Sequence, residues 1–272
     1  MESKGKKLLR FIAMRLAIYP LIALVIFLLA GYSMMERMLL PAPKSDAKFG
    51  NITLYSQGAS LDAYYLPPAE NMPVILFSHG NGEVLKNLTS LLEEFAIRGY
   101  GILAYDYAGY GFSTGKAGEK QSYQDILTAY DYLVRIRAVA PEKIIVAGYS
   151  VGSGPSCYLT TQRQTAGLVL ISAFASAIEV KLPFPLPFNR YNNADILSKS
   201  DVPVLIFHGE NDDIVPVRNA DKLYRCARGK KELHIVKNAA HNDIFNVMQE
   251  DFWHKLESFC RSQIPNATTV KE

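Results

Sequence analysis

The stretch Lys143-Ile144-Ile145-Val146-Ala147-Gly148-Tyr149-Ser150-Val151-Gly152 constrains the fold of this chain more than any other. Residues 144–147 are uniformly apolar and read as a short buried strand. The chain then turns through Gly-x-Ser-x-Gly and continues into a helical pattern over residues 153–162. A serine on so sharp a strand-to-helix turn is held in a strained backbone conformation that exposes its hydroxyl, and the flanking glycines relieve the crowding. The helix that follows points its first N–H groups and its positive dipole end at any negative charge forming beside the serine. The five-residue pattern alone occurs by chance in many chains. Its setting between strand and helix is what makes Ser150 a candidate nucleophile and the Val151 N–H a candidate oxyanion donor.

A free hydroxyl is a poor nucleophile near neutral pH, so Ser150 needs a base and an acid to orient that base. Histidine occurs at positions 79, 208, 234, 241 and 254. The apolar run 204–207 reads as a second buried strand, followed by His208-Gly209-Glu210-Asn211-Asp212-Asp213. Residues 232–236 have strand character and lead into Lys237-Asn238-Ala239-Ala240-His241-Asn242-Asp243. His241 and the Asp212/Asp213 pair therefore lie in loops at strand ends, on the edge where active-site residues of open α/β sheets collect. His241 is the candidate base. Asp212 is preferred as the acid, with Asp213 as the adjacent alternative, since periodicity does not separate neighbours in a loop. His208 reads as a structural residue shaping the acid loop, and His234 and His254 as packing or surface residues.

A second oxyanion donor is expected after the strand at residues 74–77, in Ser78-His79-Gly80-Asn81-Gly82, where the glycines let the backbone approach a reacting carbonyl. Asn81 is the candidate. A further strand at 101–105 runs into Asp106-Tyr107-Ala108-Gly109-Tyr110-Gly111-Phe112-Ser113. Asp106 is a weaker candidate acid, because it precedes the nucleophile.

Taken together, His79-Gly80-Asn81, the Asp106–Ser113 loop, Gly148-Tyr149-Ser150-Val151-Gly152, His208-Gly209-Glu210-Asn211-Asp212 with Val215-Pro216, and His241-Asn242-Asp243 resemble the α/β-hydrolase superfamily, particularly its membrane-anchored serine hydrolases. The resemblance covers about residues 50–262 in order. It implies a mostly parallel sheet with helices on both faces, aligns the acid with Asp212, and makes Ser150, Asp212 and His241 the catalytic set. It also implies that a Cys226–Cys260 bridge is absent, because the last two helices of that fold lie on opposite faces of the sheet. Ala239-Ala240 departs from the glycine that related chains often carry before the histidine.

With 272 residues, 49% of them hydrophobic, the chain has material for one large core. A net charge of +3 is too mild to indicate nucleic acid, and neither a metal-ligand cluster nor a dinucleotide fingerprint is present in the sequence, so no cofactor or metal is expected. The positive charge is concentrated at the start: Lys4, Lys6, Lys7, Arg10 and Arg15 precede an uncharged apolar run at 16–35, about long enough to span a bilayer. The competing reading is a cleaved signal peptide, but no small-x-small site follows the run. The expected organisation is a basic segment 1–15, a transmembrane signal anchor 16–35, a tether 36–50, the α/β domain 51–264 and a tail 265–272. The positive-inside tendency keeps the amino terminus cytoplasmic and puts the domain periplasmic, extracellular or lumenal. The odd count of three cysteines suits free buried thiols.

The expected activity is cleavage of carboxylic ester or thioester bonds in a small-molecule or lipid-like acyl substrate. Competing readings are a peptidase or amidase with the same residues, or a non-catalytic membrane scaffold. About thirty residues separate the strands at 168–171 and 204–207, too few for a large lid. Within them, Leu182-Pro183-Phe184-Pro185-Leu186-Pro187-Phe188 is expected to form a small flap, with Phe184, Phe188 and Tyr149 as substrate-binding residues.

Overall fold

The uninterrupted apolar runs become the centre of a sheet. In the computed structural model, which describes residues 4–180 and 189–264, the strands are β1 (Ile52–Ser56), β2 (Ala59–Leu66), β3 (Val74–Ser78), β4 (Gly101–Tyr105), β5 (Ile144–Tyr149), β6 (Gly167–Ile171), β7 (Val204–Gly209) and β8 (Lys231–Val236). They form one sheet in the order β1-β2-β4-β3-β5-β6-β7-β8. The pairs from β4 to β8 are parallel, whereas β1 and β2 pair antiparallel, as do β2 and β4. The β1–β2 hairpin lies outside the sequence reading of strands. It turns on Gln57-Gly58, with Gly58 at φ 75°, the conformation a tight hairpin loop requires.

The helices are α1 (Lys4–Leu39), α2 (Thr89–Ile97), α3 (Glu119–Asp131), α4 (Ser153–Gln162), α5 (Asn193–Leu197), α6 (Arg218–Cys226), α7 (Ile244–Met248) and α8 (Glu250–Gln263). A 3-10 turn at Leu85–Leu88 precedes α2, and α3 passes into a π turn at Tyr132–Ile136.

Side chains alternate across each central strand, and two cores result. Val74, Leu76, Ile144, Val146, Leu168, Leu170, Val204 and Ile206 meet α3, α4 and α6 on one face. Ile75, Phe77, Ile145, Ala147, Val169, Ile171, Leu205 and Phe207 meet α2 and α8 on the other. This period of two explains why the strands are apolar throughout: each is covered on both sides. Cys226 in α6 and Cys260 in α8 accordingly belong to opposite faces, and Cys157, Cys226 and Cys260 are free.

Chain order reverses at β3, which runs to β4 on one side and pairs with β5 on the other. Such a switch point opens a crevice beyond the carboxyl ends of the two strands. Here those ends are Ser78 and Tyr149, so the crevice opens between the 79–83 loop and Ser150.

The chain divides into two compact units, Met1–Met38 and Leu39–Glu272. Within the first, α1 continues through Pro20, and its Leu9–Leu39 portion is long and apolar enough to cross a membrane, with mean hydropathy 2.4 over its most apolar window. The segment read as a tether, 36–50, is not a free linker. Its first residues complete α1, Leu40 is buried, and Pro43 and Ser45 exchange backbone hydrogen bonds with Gly111 at 2.7 and 3.2 Å. Pairing of these backbone groups and burial of Leu40 make residues 39–50 part of the second unit.

Candidate functional site

Three strand ends bring Ser150, Asp212 and His241 together. Ser150 follows β5 at φ 52°, a left-handed conformation that costs a non-glycine residue roughly 1–3 kcal/mol. Gly152 makes the turn possible, because a Cβ there would lie 2.0 Å from the Ser78 carbonyl oxygen. That close approach also seats the serine turn directly against the 79–82 loop.

His241 Nδ1 lies 2.7 Å from Asp212 Oδ2, and its Nε2 lies 2.9 Å from Ser150 Oγ. An ionised carboxylate only accepts, so Nδ1 carries the proton facing Asp212, and Nε2 of the neutral ring accepts from the Ser150 hydroxyl. His241 and Asp212 are buried, while Ser150 is half-buried and meets the cavity. Burial alone would raise the Asp212 carboxyl. Hydrogen bonds from His208, His241 and the Val215 N–H outweigh it and hold the group well below the usual carboxylate range. The other oxygen, Oδ1, accepts from the N–H groups of Ile214 and Val215 at 3.0 and 2.7 Å. Asp213 is exposed and has no part in this chain of bonds, which separates the two candidates that periodicity left open.

Of the supporting residues, His208 alone is singled out by the sequence. His208 Nε2 donates to the Val215 carbonyl at 2.7 Å and lies 3.3 Å from Asp212 Oδ2, in keeping with its reading as a shaper of the acid loop. The Asn211 N–H donates to the Ala239 carbonyl at 2.9 Å, tying the acid loop to the histidine loop. The left-handed position in that loop is Asn238, at φ 60°, so Ala239 and Ala240 need no glycine. The His241 carbonyl accepts from Ser172 Oγ at 3.0 Å, and the Tyr149 hydroxyl sits 3.1 Å from it and 2.6 Å from Asn242 Oδ1. Tyr149 thus lines the cavity and braces the histidine loop as well.

Beneath the 79–82 loop, Asp106 is buried, accepting the Leu85 N–H at 2.7 Å with His79 Nε2 at 3.4 Å. Among the described residues no hydrogen bond joins Asp106 to His241, whose ring is bonded to Asp212 instead. Tyr107 donates to the His79 carbonyl at 2.7 Å and Tyr110 to the Asn81 carbonyl at 3.2 Å, so the tyrosine-rich loop grips the segment carrying Asn81.

A cavity of about 440 Å³ opens over Ser150 and His241. Phe77, Leu88, Leu91, Ile214 and Phe245 form apolar walls, while Asn81, Glu83 and Asn242 supply polar ones. Leu88 and Leu91 come from the turn before α2 and from α2 itself, and Phe245 from α7, elements that nothing in the sequence connects with a cavity. Phe184 and Phe188, expected in a flap, lie outside the described residues. Among the described residues, no group of three or more His, Cys, Asp or Glu is arranged to hold a metal ion.

The model of the family described as serine aminopeptidase, S33, matches residues 69–200. Alpha/beta hydrolase domain-containing protein 17C of Xenopus tropicalis is 34% identical over 198 residues, covering 71% of this chain and 63% of that protein. Protein 17B of Homo sapiens is 34% identical over 197 residues, covering 71% of this chain and 67% of its own length. The chain spans about three fifths of the length of the 17C relatives. Among solved structures, an esterase of Pyrococcus furiosus superposes with TM-score 0.67 at 17% identity, covering 82% of this chain and 96% of that one. An α/β-hydrolase of Vibrio vulnificus gives TM-score 0.62 at 20% identity, covering 79% and 82%. Sheet order, the serine turn at the switch point and the relatives agree, and the chain belongs to the α/β-hydrolase superfamily.

Proposed function

We propose that this protein is a membrane-anchored serine hydrolase that cleaves carboxylic ester or thioester bonds through an acyl-enzyme. The observation that carries the reading is the unbroken relay from Ser150 Oγ through His241 to Asp212, at 2.9 and 2.7 Å. Ser150 Oγ attacks the carbonyl carbon as its proton passes to His241 Nε2, and Asp212 holds the ring and offsets the positive charge it gains. The backbone N–H groups of Asn81 and Val151 receive the oxyanion, and the adjacency of their loops through Gly152 and Ser78 supports that pairing. The intermediate collapses, expelling the alcohol or thiol with the proton from His241. Water, deprotonated by the same imidazole, then attacks the acyl-enzyme and frees the acid and Ser150. Each of these steps is carried by groups of the chain and by water. The apolar cavity walls support an acyl chain as the bound portion of the substrate.

The description of the matched family supports a second reading, a peptidase using the same three residues. The match spans Ser150 but ends before Asp212 and His241, and so bears equally on either chemistry. In both readings α1 anchors the chain with its basic amino terminus cytoplasmic and the hydrolase unit on the far side, a topology supported by the lysines and arginines preceding the apolar run.

A fluorophosphonate probe tests the nucleophile: the wild type takes the label at Ser150 and Ser150→Ala takes none. Asp212→Asn lowers kcat on a short-chain aryl ester by about ten-thousand-fold, while Asp213→Asn stays near wild type. The reverse ranking of the two variants overturns the assignment. Parallel assays on matched aminoacyl esters and anilides separate ester from amide cleavage.

A further inference from the structure

We infer, resting on the serine-hydrolase reading, that Glu83 is a specificity-determining carboxylate that makes the pocket favour esters bearing a cationic ammonium or amine group. Glu83 lines the same cavity as Ser150, His241 and Tyr149. It is half-buried and anchored rather than free to swing: Oε2 accepts the Gly80 N–H at 2.6 Å, and its own N–H reaches the Gly80 carbonyl at 3.4 Å. The second oxygen, Oε1, receives no hydrogen bond from the described residues, and no Lys, Arg or His among them lies within ion-pair distance of Glu83. The cavity wall therefore carries an anchored carboxylate with no Lys, Arg or His in ion-pair contact among the described residues. Its other polar walls, Asn81 and Asn242, are neutral, and the buried carboxylate of Asp212 adds negative charge behind His241.

The field of this carboxylate is felt by its neighbours. Burial pushes the Tyr149 phenol well above its ordinary range, and the negative charge of Glu83 pushes it further in the same direction. A substrate cation placed in the cavity meets the opposite effect, because it gains the attraction that the protein leaves unused. An anionic substrate meets repulsion from the same carboxylate. Discrimination by charge of this kind appears as a ratio of kcat/KM between matched substrates.

The test uses the full chain in detergent and two isosteric ester pairs. One carries the charge on the alcohol side: butyrylcholine against 3,3-dimethylbutyl butyrate. The other carries it on the acyl side: 4-nitrophenyl 4-(trimethylammonio)butyrate against 4-nitrophenyl 5,5-dimethylhexanoate. The cation-to-neutral ratio of kcat/KM is measured for wild type, Glu83→Gln and, as a control, Glu93→Gln, an exposed carboxylate in α2 outside the cavity. Glutamine keeps an acceptor for the Gly80 N–H, so the comparison isolates the charge. In at least one pair the ratio falls about fivefold in Glu83→Gln, as expected of one partly solvated charge pair, and holds in Glu93→Gln. Equal ratios in all three proteins for both pairs overturn the inference while leaving the hydrolase reading intact. Absence of both turnover and fluorophosphonate labelling in the wild type removes that reading and the inference with it. Should Glu83→Gln not fold, the wild-type ratio decides: it declines between 20 and 500 mM salt if the carboxylate acts, by screening of roughly the Debye kind, and a salt-independent ratio overturns the inference.

Discussion

His241 is restrained at both ends, its ring by Asp212 and its carbonyl by the Ser172 hydroxyl, with Tyr149 close by. Ser172 follows β6 at φ 50°, so a second residue beside the site adopts a left-handed backbone in order to deliver a hydrogen bond. The arrangement predicts that Ser172→Ala lowers kcat about tenfold with little change in KM, because a misplacement of the imidazole by a fraction of an ångström is felt in the transition state. Its unfolding free energy should fall by about 1 kcal/mol, the net worth of one buried hydrogen bond. Ester kinetics beside denaturant unfolding check both, and a Ser172→Ala enzyme with wild-type kcat removes the clamp from the mechanism. None of this was legible beforehand. Ser172 is one serine among many in the chain, and its role exists only because β6 ends next to the loop that follows β8.

At the level of elements, the serine turn works because α4 starts where β5 stops and because β3 runs alongside. Gly152→Val places side-chain atoms against the Ser78 backbone, and the full chain in detergent should lose about 3 kcal/mol or more, or yield no folded protein. Gly82 has open space around its Cβ position and an ordinary φ, so Gly82→Ala should stay within about 0.5 kcal/mol in the same unfolding assay. The cavity walls teach a different lesson. The apolar, proline-stiffened run at 182–188 drew attention by composition, whereas Leu88, Leu91 and Phe245 look in sequence like ordinary core-facing positions of helices. Periodicity identifies an apolar face but not whether that face meets a packed core or an opening. Leu91→Ser combined with Phe245→Ser should reduce kcat/KM for octanoate esters far more than for acetate esters, at about 0.8 kcal/mol for each methylene no longer buried. An equal loss on both chain lengths would show that the acyl group lies elsewhere.

For the whole molecule, two compact units share one chain. α1 is apolar around its circumference over a length that matches a bilayer, and residues 39–272 enclose two cores of their own. Residues 39–272 expressed without 1–38 should fold, take the fluorophosphonate label and remain in the soluble fraction, while the full chain sediments with membranes and resists carbonate extraction. A truncated protein that is folded yet still membrane-bound would assign the anchoring to the hydrolase unit instead.

Local information in the sequence was enough for the fold class, the serine turn and the long apolar helix, because each rests on contiguous residues: a strand that must be apolar on both faces, a turn that demands glycine, an unbroken apolar run. What depended on distant segments meeting was decided only by the tertiary structure. Asp212 and Asp213 are chemically identical neighbours that periodicity does not separate; the resemblance favours Asp212, and only the packing shows that residue turned inward beneath His208 and His241. Glu83 is an unremarked glutamate until the sheet reverses at β3 and sets its loop beside Tyr149 and Ser150. Electrostatics and cavity shape are properties of three-dimensional proximity, and proximity is settled by packing.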